Sequence, residues 1–251
     1  MKLLIALDDG HGTSTPGKRT PTMPSGKTIH ENEFNRAVVR FLDQELKHCG
    51  FGTILVAPGD ADTPLQTRTD IANKAGADAF ISIHYNAYNS VFDNKLGGIE
   101  IYHNKGSVQG KRLADCVHKY LIKGTKQADR GVKEADFYVL RKTDMPAILS
   151  ENGFMDKLEE AELMVQEYFQ REVAKEHAMG ICEYFGVPYV AVVPNQGTPE
   201  LRAALDVLAD AGIINSPSYW VQNAKKGGMV KGEYAEELII KFANKLQEVG
   251  K

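Results

Sequence analysis

Two histidines and one acid each close a run of strand-forming residues. His11 follows Ile5-Ala6-Leu7-Asp8-Asp9-Gly10, His84 ends Phe80-Ile81-Ser82-Ile83, and Glu151 ends Ala147-Ile148-Leu149-Ser150. A buried strand does not need such a residue at its tip for stability, so these endings together point to a shared centre at one edge of a sheet. Taken singly, either histidine reads as a satisfied structural residue. Taken together with an acid, they suit zinc, the metal that histidine and carboxylate ligation fits best. Catalytic zinc takes three protein ligands and keeps a position for water, so a third ligand is required. The segment Gly26-Lys27-Thr28-Ile29-His30-Glu31-Asn32-Glu33-Phe34-Asn35 offers His30, Glu31 and Glu33 just before a helix.

The elements that must hold these residues alternate in type. Strands are expected at Lys2–Asp8, Thr53–Ala57, Ala79–His84, Gly98–His103, Phe137–Leu140 and Ala147–Glu151, from short apolar runs bounded by turn residues. Helices are expected at Glu33–Cys49 and Leu65–Ala75, closed by Gly50 and Gly76, then at Val108–Ile122 and through most of Glu159–Phe185. This is the grammar of an α/β domain: a twisted, mainly parallel sheet flanked by helices. Gly131 is expected to adopt a positive φ.

Three prolines between Gly186 and Pro199 read as an extended linker. The expected division is a catalytic domain over 1–186, a linker over 187–199 and a small all-α module over 200–251. In the last, helices are expected at Pro199–Ala211, Ser216–Gln222 and Glu233–Gln247. The single tryptophan, Trp220, lies in Ser216-Pro217-Ser218-Tyr219-Trp220. It has two readings: a sugar-stacking surface, or the largest core residue of a small module, packed by Leu205, Leu208, Ile213, Leu238 and Phe242. Lys225, Lys226 and Lys231 flank Gly227-Gly228 and could meet an anionic polymer, or simply line a solvated loop.

Composition narrows the class. With 251 residues, 43% hydrophobic and 25% charged, the chain can bury a full core. A formal net charge of -3 gives no reason to expect nucleic acid or an anionic membrane surface as partner. The amino-terminal apolar run ends at Asp8-Asp9, too soon for an export signal, and no run reaches the roughly 20 residues that span a bilayer. Cys49, Cys116 and Cys182 lack a C-x-x-C pair and read as structural. His48, His118 and His177 read as residues of solvated helix faces. No feature specifies an oligomeric state.

Taken in order, several motifs resemble one family. They are Asp8-Asp9-Gly10-His11-Gly12, Glu31 with Asn35, Arg68 with Ala72-Asn73, Ser82-Ile83-His84-Tyr85-Asn86-Ala87, Gly131-Val132-Lys133, and Met145-Pro146-Ala147 through Glu151-Asn152-Gly153-Phe154. The chain is similar to the zinc-dependent N-acetylmuramoyl-L-alanine amidases of the type 3 class, found in bacterial autolysins and phage endolysins. The resemblance spans the first domain. It implies one Zn2+ held by His11, Glu31 and His84, with Glu151 as catalytic acid/base and bacterial peptidoglycan as partner. It departs from the pattern at Thr13-Ser14-Thr15 and in a longer Thr13–Thr28 loop, both of which bear on the cleft and not on the ligands.

The implied activity is cleavage of the amide between N-acetylmuramic acid and the first L-alanine of the stem peptide. Without an export signal, the expected setting is a phage or prophage endolysin, made in the cytoplasm and acting on the wall after release. The alternatives are a zinc peptidase or carboxypeptidase of other specificity, and an inactive wall-binding protein. Asn86 is weighed as a substrate or supporting group against a turn residue, and Arg68 as a structural ion pair before a substrate contact.

Overall fold

The computed structural model describes residues 2–93, 95–192 and 199–214, together with 220, 224, 230, 235, 236 and 238–242. The chain divides into two compact units, Met1–Ala191 and Val192–Lys251.

The first unit is built on strands β1 (Leu4–Asp9), β2 (Gly52–Leu55), β3 (Ala79–Asn86), β4 (Ile99–Asn104), β5 (Asp129–Ala135) and β6 (Ala147–Phe154). They form one sheet in the order β2-β1-β3-β6-β4-β5. All neighbours are parallel except β6 and β4, which pair antiparallel. The central strands β1, β3 and β6 are buried nearly throughout because helices cover both of their faces.

Helices α1 (Glu31–His48), α3 (Val108–Gly124) and α6 (Glu167–Phe185) share a core with Ile5, Leu7, Ile81, Ile83 and Ile148. In α1, Phe34, Val38 and Leu42 recur every fourth residue and are fully buried, as an amphipathic helix on a sheet requires. On the opposite face, α2 (Leu65–Ala75) and the single turn α4 (Tyr138–Arg141) cover Ala6, Phe80, Ala147 and Leu149. Side chains alternate along a strand, so His84 shares the α2/α4 face with Phe80, and Glu151 shares it with Leu149. The carboxyl ends of β1, β3 and β6 therefore meet on that face. Because β4 runs the other way, its first residues join them.

The structure corrects the sequence reading in several places. Phe137–Leu140 is not a strand: Val139 and Leu140 are buried in succession, which one turn of helix permits and an alternating strand on this surface does not. Conversely, Asp129–Ala135 is a strand that its charge and its glycine conceal. It lies at the sheet edge, where charged residues guard against further pairing, and Gly131 has φ +82° there. The helical stretch expected at Glu159–Phe185 breaks into α5 (Leu158–Leu163) and α6.

His177 lies on no solvated face. It is fully buried, with Nδ1 2.8 Å from the Val173 carbonyl and Nε2 2.8 Å from Ser150 Oγ. His118 is largely covered as well, 2.8 Å from Asp129. The three thiols are free, and those of Cys49 and Cys182 are buried.

Residues 187–190 belong to the first unit. Val187 and Tyr189 pack on its core, and the Tyr189 hydroxyl donates to Glu45 at 2.9 Å. The second unit contains α7 (Pro199–Asp210), with Leu205, Ile213 and Ile214 buried and Trp220, Leu208 and Leu238 packed on them. Phe242, expected in that cluster, is 46% exposed. Ser216, Pro217, Tyr219, Lys225, Lys226, Gly227, Gly228 and Lys231 lie outside the described residues.

Candidate active site

The turn after β1 sets the first histidine. His11 has φ +64°, the only positive value on a non-glycine residue among those described. That conformation costs about 1–3 kcal/mol and persists only where the surroundings impose it. Here the His11 carbonyl accepts from Arg68 Nη2 and from Asn32 Nδ2, each at 3.1 Å. The Asn32 amide also lies within 3.2 Å of the Asp9 carbonyl and 3.1 Å of the Gly10 carbonyl, and Asn35 donates to Gly10 at 3.0 Å. Arg68 is fully buried and paired with Asp8 and Asp62. It is thus the structural ion pair that the sequence suggested.

Glu31, the first residue of α1, is carried under this turn. Its Oε1 accepts from Asn35 at 3.3 Å and from the Tyr85 N–H at 3.2 Å, and lies 2.9 Å from His84 Nδ1. Its Oε2 is buried without a hydrogen-bond donor, 3.4 Å from His11 Nε2 and 3.8 Å from Lys18 Nζ. The His11 and His84 rings meet edge-on, with centroids 4.9 Å apart. One potential ligand atom from each of His11, Glu31 and His84 falls within 4.8 Å of the others.

A hydrogen-bonded chain selects the tautomer of His84. Ser82 Oγ lies 2.6 Å from Asp8 Oδ2, a carboxylate that can only accept, so the hydroxyl proton points there. Its oxygen then accepts from His84 Nε2 at 3.1 Å. With Nε2 donating to Ser82, Nδ1 is the nitrogen that faces the Glu31 carboxylate at 2.9 Å: it donates to Glu31 while the ring is protonated, and it is the lone pair a metal ion would take on displacing that proton. Gly10 makes room for this ring, since a β-carbon there would come within 2.6 Å of three of its atoms.

The electrostatics agree. Burial holds the His11 imidazole down to about 4, so it is neutral at pH 7. Burial acts against charge on Glu31, but the hydrogen bond from His84 and the charge of that ring, followed by the smaller influences of His11 and Lys18, outweigh it and bring the carboxyl down to about 2. His84 is likewise opposed by burial and raised on balance by Glu31. An ionised carboxylate with an orphaned buried oxygen, a neutral imidazole and a ring fixed with Nδ1 inward are the donors a zinc ion takes.

Glu151 sits directly across from His84 in the β3–β6 register. Its Oε2 is buried and without a hydrogen-bond partner. Burial, opposed by His84 and reinforced by Glu31, pushes its pKa up to about 8. Behind the strand, Asn152 Nδ2 donates to the His84 carbonyl at 3.0 Å, tying the two strand ends together. A carboxyl titrating near neutrality beside a metal-capable triad can exchange protons with a substrate.

His11, His84 and Glu151, with Lys18, line one cleft of about 520 Å3, whose other wall is apolar: Pro64, Leu65, Phe137, Tyr138 and Val139. The alternative ligands lie elsewhere. Glu33 accepts from the His30 N–H at 2.8 Å, closing the helix end, and neither residue joins the triad. His103 is buried, with Nδ1 3.0 Å from the Asn104 carbonyl. Asn86 donates to Glu100 at 2.7 Å. Sequence reasoning missed Asp8, Ser82, Asn32 and Lys18. The polar residues Asp8 and Ser82, inside otherwise apolar strands, were the signal available.

Residues 5–183 match the family model described as N-acetylmuramoyl-L-alanine amidase. The N-acetylmuramoyl-L-alanine amidase CwlM of Bacillus licheniformis is 33% identical over 186 residues, covering 73% of this chain and 69% of the relative. The endolysin of Bacillus phage SPP1 is 35% identical over 192 residues, 73% of this chain and 66% of the relative. The catalytic domain of the amidase CwlV from Bacillus (Paenibacillus) polymyxa superposes with a TM-score of 0.67 at 32% identity, spanning 75% of this chain and all of that domain.

Proposed function

Because the chain belongs to the N-acetylmuramoyl-L-alanine amidase family, we infer that it is a peptidoglycan hydrolase whose cleft performs the cut with a zinc ion at His11, Glu31 and His84 and with Glu151 as general acid/base. The amide cleaved joins N-acetylmuramic acid to the first L-alanine of the stem peptide. The observation that carries the assignment of roles is the convergence of a His-Glu-His triad, set by two strand ends and the start of α1, with an unpartnered carboxyl on the neighbouring strand.

The chemistry a zinc ion supplies when bound is Lewis acidity toward water and toward an amide carbonyl. His11 enters as a neutral donor, and the Ser82–Asp8 chain keeps His84 Nδ1 turned inward. Beside a cation held at the triad Glu151 is drawn back to its ionised form, in which its free Oε2 takes a proton from the attacking water and returns it to the alanine nitrogen. An amide nitrogen leaves poorly until protonated, so this transfer is indispensable. Opposite the reacting groups stands the apolar wall of Pro64, Leu65, Phe137, Tyr138 and Val139.

A relative named as a bacterial N-acetylmuramoyl-L-alanine amidase and one named as a phage endolysin both match. No helix among the described residues is long and apolar enough to cross a membrane. The test is digestion of purified peptidoglycan: new L-alanine amino termini without new reducing sugars, lost on chelation and restored by Zn2+. New amino termini on other residues would show a peptidase instead.

A further inference from the structure

Beside Glu151, on the reversed strand β4, lies a second carboxylate that the proposed reaction does not use. Glu100 is the cross-strand partner of Glu151 and only 2% exposed. Four groups surround it. Asn86 Nδ2 and the Tyr102 hydroxyl donate to Oε1 at 2.7 and 2.8 Å, while Arg130 Nε at 2.8 Å and Lys133 Nζ meet Oε2. Arg130 is also packed on the Phe154 ring, with Cζ 4.9 Å from its centroid.

This cluster has more positive charge than its acid needs. One cation would neutralise Glu100; two leave a surplus. Arg130 and Lys133 are 28% and 38% exposed, and neither Arg130 Nη makes a hydrogen bond among the described residues. A buried carboxylate and an aromatic face hold them in place, so their outward donors are oriented in advance. Tyr102, bonded to the same Glu100, packs at 5.1 Å against Phe137 of the cleft wall.

We propose that Arg130 and Lys133, set on Glu100, form a receptor for a carboxylate of the stem peptide and make this chain selective for stems whose second residue is acidic. The proposal rests on the amidase reading above. Antiparallel partners lie about 4.5–5.5 Å apart at Cα, and a peptide advances ~3.8 Å per residue. A chain leaving the scissile amide at Glu151 and crossing toward β4 and β5 thus brings its next residue to these cations. The glycan side of the substrate offers mainly neutral hydroxyls there, so the peptide side is the one such a pair would hold.

The test uses the full chain with two soluble N-acetylmuramoyl peptides, one with a free carboxylate on the second residue and one with a carboxamide. The unaltered enzyme should favour the acid by about 10- to 100-fold in kcat/KM, carried mainly in KM, as charge-assisted hydrogen bonds predict. Arg130→Gln and Lys133→Met should each reduce that preference severalfold, with Arg130→Lys recovering part of it. Should Arg130→Gln fail to fold, Lys133→Met serves alone. Calorimetric titration of Glu151→Gln with both peptides should show the same preference without turnover. Equal cleavage of the two peptides by the unaltered enzyme, or variants that slow both equally, would overturn the receptor and leave the amidase reading intact. Cleavage of neither peptide would sink both.

Discussion

The triad and the acid are neighbours at one end of the sheet, yet they are held by different means. Around His11, Glu31 and His84 nearly every neighbour is spoken for: Arg68, Asp8, Asn32, Asn35 and Ser82 fix backbone and rings through ionic and amide contacts. Glu151, like Glu31, has a buried oxygen with no partner, but no side-chain hydrogen bond among the described residues fixes its carboxyl, which is positioned through its strand. That strand is pinned from behind by neutral contacts, His177 to Ser150 and Asn152 to the His84 carbonyl. A ligand set gains from rigidity, because misplaced donors lose the metal. A group that moves protons must keep a free lone pair, and its pKa is set by what is withheld from it.

The largest effect should come from the rigid side. Glu31→Ala removes the only carboxylate shared by both histidines, so bound zinc and wall hydrolysis should both fall to background in metal analysis and turbidity assays. If Glu33→Ala does this while Glu31→Ala does not, the ligand set is wrong.

Next comes the acid. Glu151→Gln should retain zinc and melting temperature but lose roughly 100- to 10,000-fold in turnover. Behind the triad, Ser82→Ala frees the His84 tautomer and should weaken zinc binding about 10- to 100-fold in chelator competition, with the fold unchanged. Unaltered affinity would mean the Ser82–Asp8 chain is bystander structure.

The smaller effects separate the two sides by pH. Burial holds His177 down to about 4 from 6.5, so between those values the unfolded chain binds a proton there that the folded chain does not. Its contribution to stability is complete above about 6.5 and is lost as pH falls toward 4, by about 3 kcal/mol. His177→Gln should flatten that acid limb in thermal melts. An identical limb in the variant would assign acid lability to other groups. In the second unit, Trp220 packs on Leu205 and Ile213, so Trp220→Ala should destabilise that unit in hydrogen exchange while turnover of a soluble muramoyl peptide stays the same.

The sequence made this contrast only half legible. Strand endings are conspicuous when an imidazole or carboxylate interrupts apolar alternation, and so His11, His84 and Glu151 could be named before any fold existed. Glu31 could not be separated from His30 and Glu33 by spacing; only the register of α1 under the His11 turn, with Glu33 spent on the His30 N–H, brings it to the other two. The edge strand Asp129–Ala135 was hidden by the charges that suit an edge. The buried turn at Val139–Leu140 looked like a strand because its residues favour one, and tertiary burial overrode the preference. His177 looked solvated because its sequence neighbours are charged, although a helix shows its faces three and four residues apart.

The central claim is that one side binds the metal and the other moves the proton. Zinc titration and steady-state hydrolysis, measured together on Glu31→Ala and Glu151→Gln, test it most directly. The account predicts that Glu31→Ala loses zinc and activity together, whereas Glu151→Gln binds zinc as the unaltered chain does and yet turns over at least about 100-fold more slowly. Near-normal turnover in Glu151→Gln, or full zinc occupancy in Glu31→Ala, would contradict it.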